Sequence, residues 1–287
     1  MGERAHPAKV ARSAGATARL RPRQRAHKET VALTREAPGW HHGCDMRPLL
    51  VLFTGTTVPN VRASFGDFDA HFRARAGDAW SHGWSTHDAR DEASPLPDPG
   101  AHAGVIVTGS SSSVTERAPW MLRLEGWLRE AVWTDAPLLG VCFGHQLLAS
   151  ALGGEVRQNA AGRRLGSLEV SRTDDEDPLL DGLGARFAVN VSHRDHVAIA
   201  PEGVRRLVTA DHDPMHAFAV GKRVRAVQFH PEFDQPILRG YIEARREILR
   251  AEGMDPEVLH ARAADAPAGE RVLRNFLTHF VTRDVNR

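Results

Sequence analysis

The sequence predicts an α/β protein, a three-layer sandwich with a mostly parallel central sheet, and three observations carry that prediction. Short apolar runs alternate with helix-length segments through the first two thirds of the chain beyond residue 46. Each run is too short for a buried helix and ends in glycine or small polar residues, as strands buried on both faces do. A cysteine flanked by glycines two residues before and two after sits where one such run passes into a helix.

The elements follow in order. Residues 1–46 are basic and rich in alanine and proline, with Arg4, Lys9, Arg12, Arg19, Arg21, Arg23, Arg25, Lys28 and Arg35 against Glu3, Glu29, Glu36 and Asp45. Without a sustained apolar period they cannot bury enough surface to offset the entropy of ordering, so a disordered extension is expected there, or a true start at Met46. Leu49 to Phe53 reads as a first buried strand, followed by a helix around Asp67 to Ala76. Gly104 to Gly109 is a second strand that opens into the serine-rich loop Ser110 to Ser113. Pro119 to Val132 places Trp120, Leu124, Trp127 and Leu128 at helical spacing. Pro137 to Val141 is a third strand, and Phe143 to Leu152 a helix closed by Gly153-Gly154. Later strands, at Gly166 to Val170, Phe187 to Val191, Arg205 to Thr209 and Val224 to Phe229, look antiparallel. Two helices, Gln235 to Ala251 and Gly269 to Val281, are expected to end the chain. The domain is therefore expected to run over residues 47–287.

Composition narrows the function. The 287 residues carry 37 lysines and arginines against 36 aspartates and glutamates, which favours neither a nucleic-acid nor a membrane partner. No apolar run is long enough to span a bilayer, and no signal peptide is visible. The two cysteines, Cys44 and Cys142, stand in unlike contexts, so a cytoplasmic protein without disulfides is expected.

The chemistry concentrates in two places. In Gly140-Val141-Cys142-Phe143-Gly144-His145-Gln146 the turn is tight enough to require small neighbours and lifts the thiol above the sheet's carboxyl edge. The helix that follows aims its first amides at the sulfur, and the Phe143 amide is placed to hold a tetrahedral oxyanion. Alone, the motif is equally compatible with a structural cysteine in a βα unit. At the end of the strand Val224 to Phe229, His230-Pro231-Glu232 supplies an imidazole within reach of a neighbouring strand's cysteine and a carboxylate to orient it. The conjunction is far more specific than either part.

Together with Gln228-Phe229-His230-Pro231-Glu232-Phe233, the cysteine motif resembles the class I glutamine amidotransferases, in particular stand-alone members related to the glutaminase domain of GMP synthase. The resemblance runs from about Arg47 to Val281. It implies a triad of Cys142, His230 and Glu232 that hydrolyses glutamine to glutamate and ammonia through a γ-glutamyl thioester, without a cofactor. It also places Ser110 with Phe143 in the oxyanion hole, and Gly109, Gln146, Ser192, His193, Arg194 and Asp195 around the substrate. Ser110 and Ser111 depart from the glycine and proline common in that loop, which puts its rigidity in question. His193, His196, His212 and His216 admit a reading as metal ligands, but the sequence offers no carboxylate or cysteine cluster at ligand spacing, and no metal is expected. With no P-loop or ATP-pyrophosphatase-like stretch, an ammonia-accepting synthetase is expected on a separate chain. Two alternatives remain open: a γ-glutamyl hydrolase or peptidase acting on a larger compound, its pocket shaped by the segment Gln235 to Ala264, and a binding module without catalysis.

Overall fold

The computed structural model describes residues 47–173 and 176–282; the expected basic extension at residues 1–46, with Cys44, lies outside them. The elements in chain order are β1 (Leu49–Phe53), α1 (Pro59–Phe65), α2 (Phe68–Ala76), β2 (Trp84–Asp88), β3 (Gly104–Val107), α3 (Pro119–Trp133), β4 (Leu138–Val141) and α4 (Phe143–Ala151). There follow β5 (Glu155–Gln158), β6 (Arg164–Arg172), β7 (Arg186–His193), β8 (Asp195–Ile199), β9 (Arg205–Ala210), β10 (Asp213–Val220) and β11 (Val224–Val227). The chain then continues through α5 (Gln235–Ala244), α6 (Arg246–Ala251), α7 (Pro256–Arg262) and α8 (Pro267–Phe276), which runs on into a π-helical turn, Leu277–Val281.

A 9-stranded sheet in the order β2-β1-β3-β4-β11-β10-β9-β6-β7 forms the middle layer. From β2 to β11 every pairing is parallel, and from β11 to β7 every pairing is antiparallel. The α/β fold with its parallel sheet is thus present; β6, β7 and β9 are antiparallel as their sequences suggest, whereas β11, expected with them, is antiparallel to β10 but runs parallel to β4. Successive side chains on a strand point to opposite faces, and the core divides accordingly. Leu49, Val51, Ile106, Leu139 and Val141 pack with Phe68 and Phe72 of α2 and with Val272, Leu273 and Phe276 of α8. Leu50, Leu52, Val105, Val107 and Leu138 pack with Leu124 and Leu128 of α3 and with Leu147 and Leu148 of α4. Both faces of the parallel half are covered, which is why those strands read as unbroken apolar runs.

Several elements differ from expectation. Strand β2 has no fully buried residue, and its Trp-Ser-Thr-His-Asp sequence carries no strand signature. Helix α1 starts at Pro59, in the first helical turn that proline tolerates, and buries only Val61. The expected helix from Gln235 to Ala251 is two helices, because Arg245 leaves helical geometry at φ −113, ψ 13. A further helix, α7, starts after the Asp255 cap, whose carboxylate accepts the amides of Glu257 and Val258. None of the helices among the described residues is long and apolar enough to cross a membrane.

Candidate active site

Cys142 is the single residue between β4 and α4, and its backbone is held at φ 52, ψ −99, a region that residues with a side chain rarely occupy. Two close approaches impose that turn. A Cβ on Gly140 would fall 2.9 Å from the backbone of Gly144, and one on Gly144 would fall 2.5 Å from the carbonyl oxygen of Val107. The Cys142 amide donates to Val227 O (2.9 Å) and the Gly144 amide to Thr108 O (3.2 Å), tying the turn to both flanking strands. The thiol is buried, 3.8 Å from the carbonyl oxygen of Ser192. The amide of Phe143, first in α4, has no carbonyl within its own helix to meet.

The neighbouring strand brings the imidazole. Val227 of β11 pairs with Val141 of β4, so His230 leaves the same sheet edge as Cys142. Its amide donates to Asn190 O (2.9 Å), and its Nδ1 lies 2.7 Å from Glu232 Oε1 with both side chains buried. Gly109 marks where the parts converge, since a Cβ there would stand 2.9 Å from His230 Cε1 and 3.8 Å from Cys142 Cβ. Burial alone would lower the pKa of His230, but the charges of Glu232 and Cys142 and hydrogen bonds to both raise it to about 10. Phe233 stacks on the imidazole (centroids 4.0 Å, planes 12° apart), and Tyr241 of α5 backs Phe233 at 4.5 Å. Thr57 Oγ1 in turn donates to the Tyr241 hydroxyl (2.9 Å).

The serine-rich loop is tied down on all sides. Thr54 Oγ1 donates to Thr108 O (2.9 Å) and Gly109 O (3.1 Å), while a Cβ on Gly55 would come 2.8 Å from Ser110 Cα. Ser110 Oγ accepts the Ser112 amide (3.1 Å), and Glu116 Oε1 accepts the Ser113 amide (2.8 Å). Ser113 Oγ donates to the carboxylate of Asp195, so this loop is joined to the turn between β7 and β8. The departure from glycine and proline is offset by these side-chain hydrogen bonds.

At that turn Ser192 and His193 end β7 and Asp195 begins β8. The carbonyl of Asp195 accepts Gln146 Nε2 (2.8 Å) and His193 Nδ1 (2.9 Å). Arg194 is exposed, whereas the ring of His193 is turned inward, 6.1 Å from that of His212 and 6.0 Å from that of His216. Contact with a substrate would therefore use the backbone of His193 rather than its imidazole. Burial first, then the neighbouring His216, pushes its pKa down to about 3. His145, also buried, is lowered to about 4, chiefly by desolvation.

The structure thus gathers Cys142, His230, Glu232, Gly109 and Phe143 at one point, with Ser110, Gln146, Ser192 and Asp195 tied to it by the contacts above. Three residues escaped the sequence reading. Gln228 Oε1 accepts Gln146 Nε2 (3.0 Å), and Asn190 Nδ2 donates to Phe233 O (3.1 Å) just behind His230. A polar residue in an otherwise apolar strand end was the available signal for both. The third is Asp213, a buried carboxylate beside His193 and His216 that stands in a stretch with no sequence signature of a site.

The sequence profile of the class-I glutamine amidotransferases matches residues 84–238, a span containing Cys142, His230 and Glu232. The glutamine-hydrolysing GMP synthase of Clostridium novyi is 38% identical over 135 residues, 46% of this chain and 25% of that protein. That of Leifsonia xyli is 41% identical over 136 residues, 45% of this chain and 26% of that protein. The chain thus spans about a quarter of the length of these relatives. Among solved structures, a glutamine amidotransferase of Thermotoga maritima superposes with a TM-score of 0.63 at 22% identity, covering 86% of this chain and 100% of the other. One from Methylobacillus flagellatus gives 0.65 at 20% identity, covering 84% and 96%. The chain shares the three-layer α/β fold of these structures, with a cysteine at its strand-to-helix turn and a strand-end His-Pro-Glu beside it. The chain belongs to the class-I glutamine amidotransferase family.

Proposed function

We propose that the chain hydrolyses glutamine to glutamate and ammonia with Cys142, His230 and Glu232, and that residues 47–287 form the catalytic domain. The observation that carries this reading is the elbow cysteine beside a buried imidazole whose other nitrogen meets Glu232 at 2.7 Å. Against burial, which lowers it, Glu232 and Cys142 raise the pKa of His230 to about 10, which supports a ring that starts the cycle protonated at neutral pH. The sulfur attacks the γ-carbonyl carbon, and the Ser110 and Phe143 amides hold the oxyanion. His230 then donates its proton to the departing ammonia as the thioester forms. Neutral again, it removes a proton from water, which attacks the thioester and releases glutamate and the thiolate. Glu232 fixes the ring so that Nε2 serves the sulfur throughout. Arg194 and Asp195, with Ser192 and Gln146, would hold the α-amino and α-carboxylate groups. The names of the curated relatives support glutamine as substrate. They also support a synthetase activity that consumes the ammonia.

A second reading keeps the chemistry but takes a larger γ-glutamyl compound, with water as the only acceptor. It is favoured by the helices α5 to α7, since Tyr241 of α5 packs behind Phe233 and brings this segment to the wall of the site. Glutamate release from glutamine and from a panel of γ-glutamyl amides, by the wild type and Cys142→Ala, separates the readings. Cys142-dependent release from glutamine supports an ammonia donor, whereas release from one larger compound alone supports the hydrolase. Release that survives Cys142→Ala overturns both.

A further inference from the structure

Behind the turn that carries Ser192 and Asp195, the fold assembles a group of side chains that glutamine hydrolysis does not use. His193 closes β7, while Asp213 and His216 lie on β10, and one donor atom from each lies within 4.8 Å of the others. Asp213 and His216 are fully buried and His193 nearly so. Side chains on two different hairpins converge here, so the cluster is made by tertiary structure and not by a local sequence motif.

The hydrogen bonds fix which ring nitrogens are free to bind. His193 Nδ1 faces the carbonyl oxygen of Asp195 at 2.9 Å, and an acceptor there requires the proton on Nδ1, leaving a lone pair on Nε2. His216 Nδ1 faces Asp213 Oδ2 at 3.2 Å, a pair that a cation would bridge in place of the proton between them. Nε2 of both rings is buried and has no hydrogen-bond partner among the described residues. Buried nitrogens are almost always paired, so two orphaned ring nitrogens beside one carboxylate need an account. His193 also has the partner that metal-bound histidines characteristically have on their second nitrogen, a backbone carbonyl. Asp213 is itself oriented, its Oδ1 accepting the Met215 amide at 3.0 Å.

We propose that His193, Asp213 and His216 form a binding site for a divalent cation of the zinc class, which pins the substrate turn between β7 and β8 to the hairpin of β9 and β10. Two neutral imidazoles and one carboxylate suit a borderline cation and not calcium or magnesium, which take oxygen ligands. Ligands about 2.0–2.1 Å from a tetrahedral zinc stand roughly 3.4 Å apart, so side-chain rotations of about an ångström close the observed cluster. His212, half-buried, with its ring 6.2 Å from that of His216 and its own Nε2 without a partner among the described residues, is placed to supply a fourth ligand. The site stands apart from the reaction: the ion holds a turn and takes no part in breaking the amide.

The experiment is uptake of Zn²⁺ by the full chain after chelator treatment, measured by elemental analysis and calorimetric titration, with Co²⁺ as a spectroscopic probe. Cys142→Ala serves as the parent, so that the reactive thiol cannot be the ligand. The expected result is one ion per chain and a tetrahedral Co²⁺ spectrum of nitrogen and oxygen ligation, without a sulfur charge-transfer band. His216→Gln and Asp213→Asn should each weaken Zn²⁺ binding by ~100-fold or more. Mg²⁺ and Ca²⁺ should not compete. Failure of the parent to take up zinc overturns the proposal, as does stoichiometric uptake that persists in folded His216→Gln. If His216→Gln does not fold, the Co²⁺ spectrum of the parent decides: sulfur or octahedral ligation overturns the site. Because the parent lacks Cys142, the outcome is independent of whether the chain hydrolyses glutamine.

Discussion

His230 and His193 are buried to nearly the same degree, 3% and 4% exposed, yet their protonation differs completely. The first is raised to about 10 and the second lowered to about 3. Desolvation opposes the charged form in both, so burial cannot explain the difference. The partner does. His230 Nδ1 meets a carboxylate and its ring adjoins Cys142, whereas His193 Nδ1 meets a neutral carbonyl and its ring adjoins other histidines. One fold thus raises the pKa of one buried imidazole and lowers that of another, through the partners each ring meets.

The largest test of that contrast removes the sulfur. Cys142→Ala should lower glutamate release by ~10⁴-fold or more, since the nucleophile acts as one unit with its base. The same variant removes one of the charges that hold the proton on His230. Titration of the ring by NMR should therefore show a pKa below that of the wild type, with His193 unchanged. Undiminished turnover would sink the mechanism.

Glu232→Gln should make His230 resemble His193. The amide can still position the ring, so kcat falls by ~10²–10³-fold and not to background. Stability gives a second reading. Because the folded-state pKa of about 10 stands above the ordinary 6.5, the stabilisation from charged His230 is complete below pH 6.5. It is lost as the pH rises from there to about 10, by at most ~1.4 kcal/mol per pH unit. Denaturant midpoints of the wild type should decline across that window, and those of Glu232→Gln should decline much less. Equal slopes would show that Glu232 does not set the charge of His230.

Gly109→Ala tests position without touching charge. The new Cβ would stand 2.9 Å from His230 Cε1, and the ring has no room to retreat because Phe233 stacks on its face at 4.0 Å. A displaced imidazole loses alignment with the sulfur, and kcat should fall by ~10–100-fold. The accompanying strain should cost ~1–3 kcal/mol of stability, read from the denaturant midpoint. Wild-type kcat would mean that His230 is freer than its packing implies.

The same two histidines mark how far the sequence could be read. His230 was legible because β4 is a buried apolar run that ends just before Cys142, and the buried strand β11 leads within three residues to His230. Glycines at positions 140 and 144 also encode the turn around Cys142 directly, through contacts that admit no Cβ. Around His193 the histidines were legible as possible metal ligands, but their carboxylate partner Asp213 was not. Asp213 and His216 are three residues apart on a strand whose pairing shifts register between Asp213 and Ala217, so no simple alternation shows that both face inward. Their partner arrives from another hairpin. Strand β2 was missed for a related reason: it borders the sheet, and its half-buried polar residues lack the β-branched and aromatic pattern of a strand.

The smallest predicted effect lies where the two regions touch. Ser113 Oγ donates to the carboxylate of Asp195, whose carbonyl receives both Gln146 and His193. Ser113→Ala breaks that link and the cap that its Oγ gives the Thr115 amide, but spares the hydrogen bond from its own amide to Glu116. A hydrogen bond to a charged acceptor contributes ~1.5–3 kcal/mol when enclosed, and less at this half-buried position. The turn that would hold the amino-acid end of glutamine should loosen while the triad stays in place. KM for glutamine should then rise by ~3–10-fold, with kcat within about twofold of wild type. A fall in kcat at constant KM would instead place the effect on the oxyanion loop, and would mean that the serine serves the His230 side of the molecule and not the His193 side.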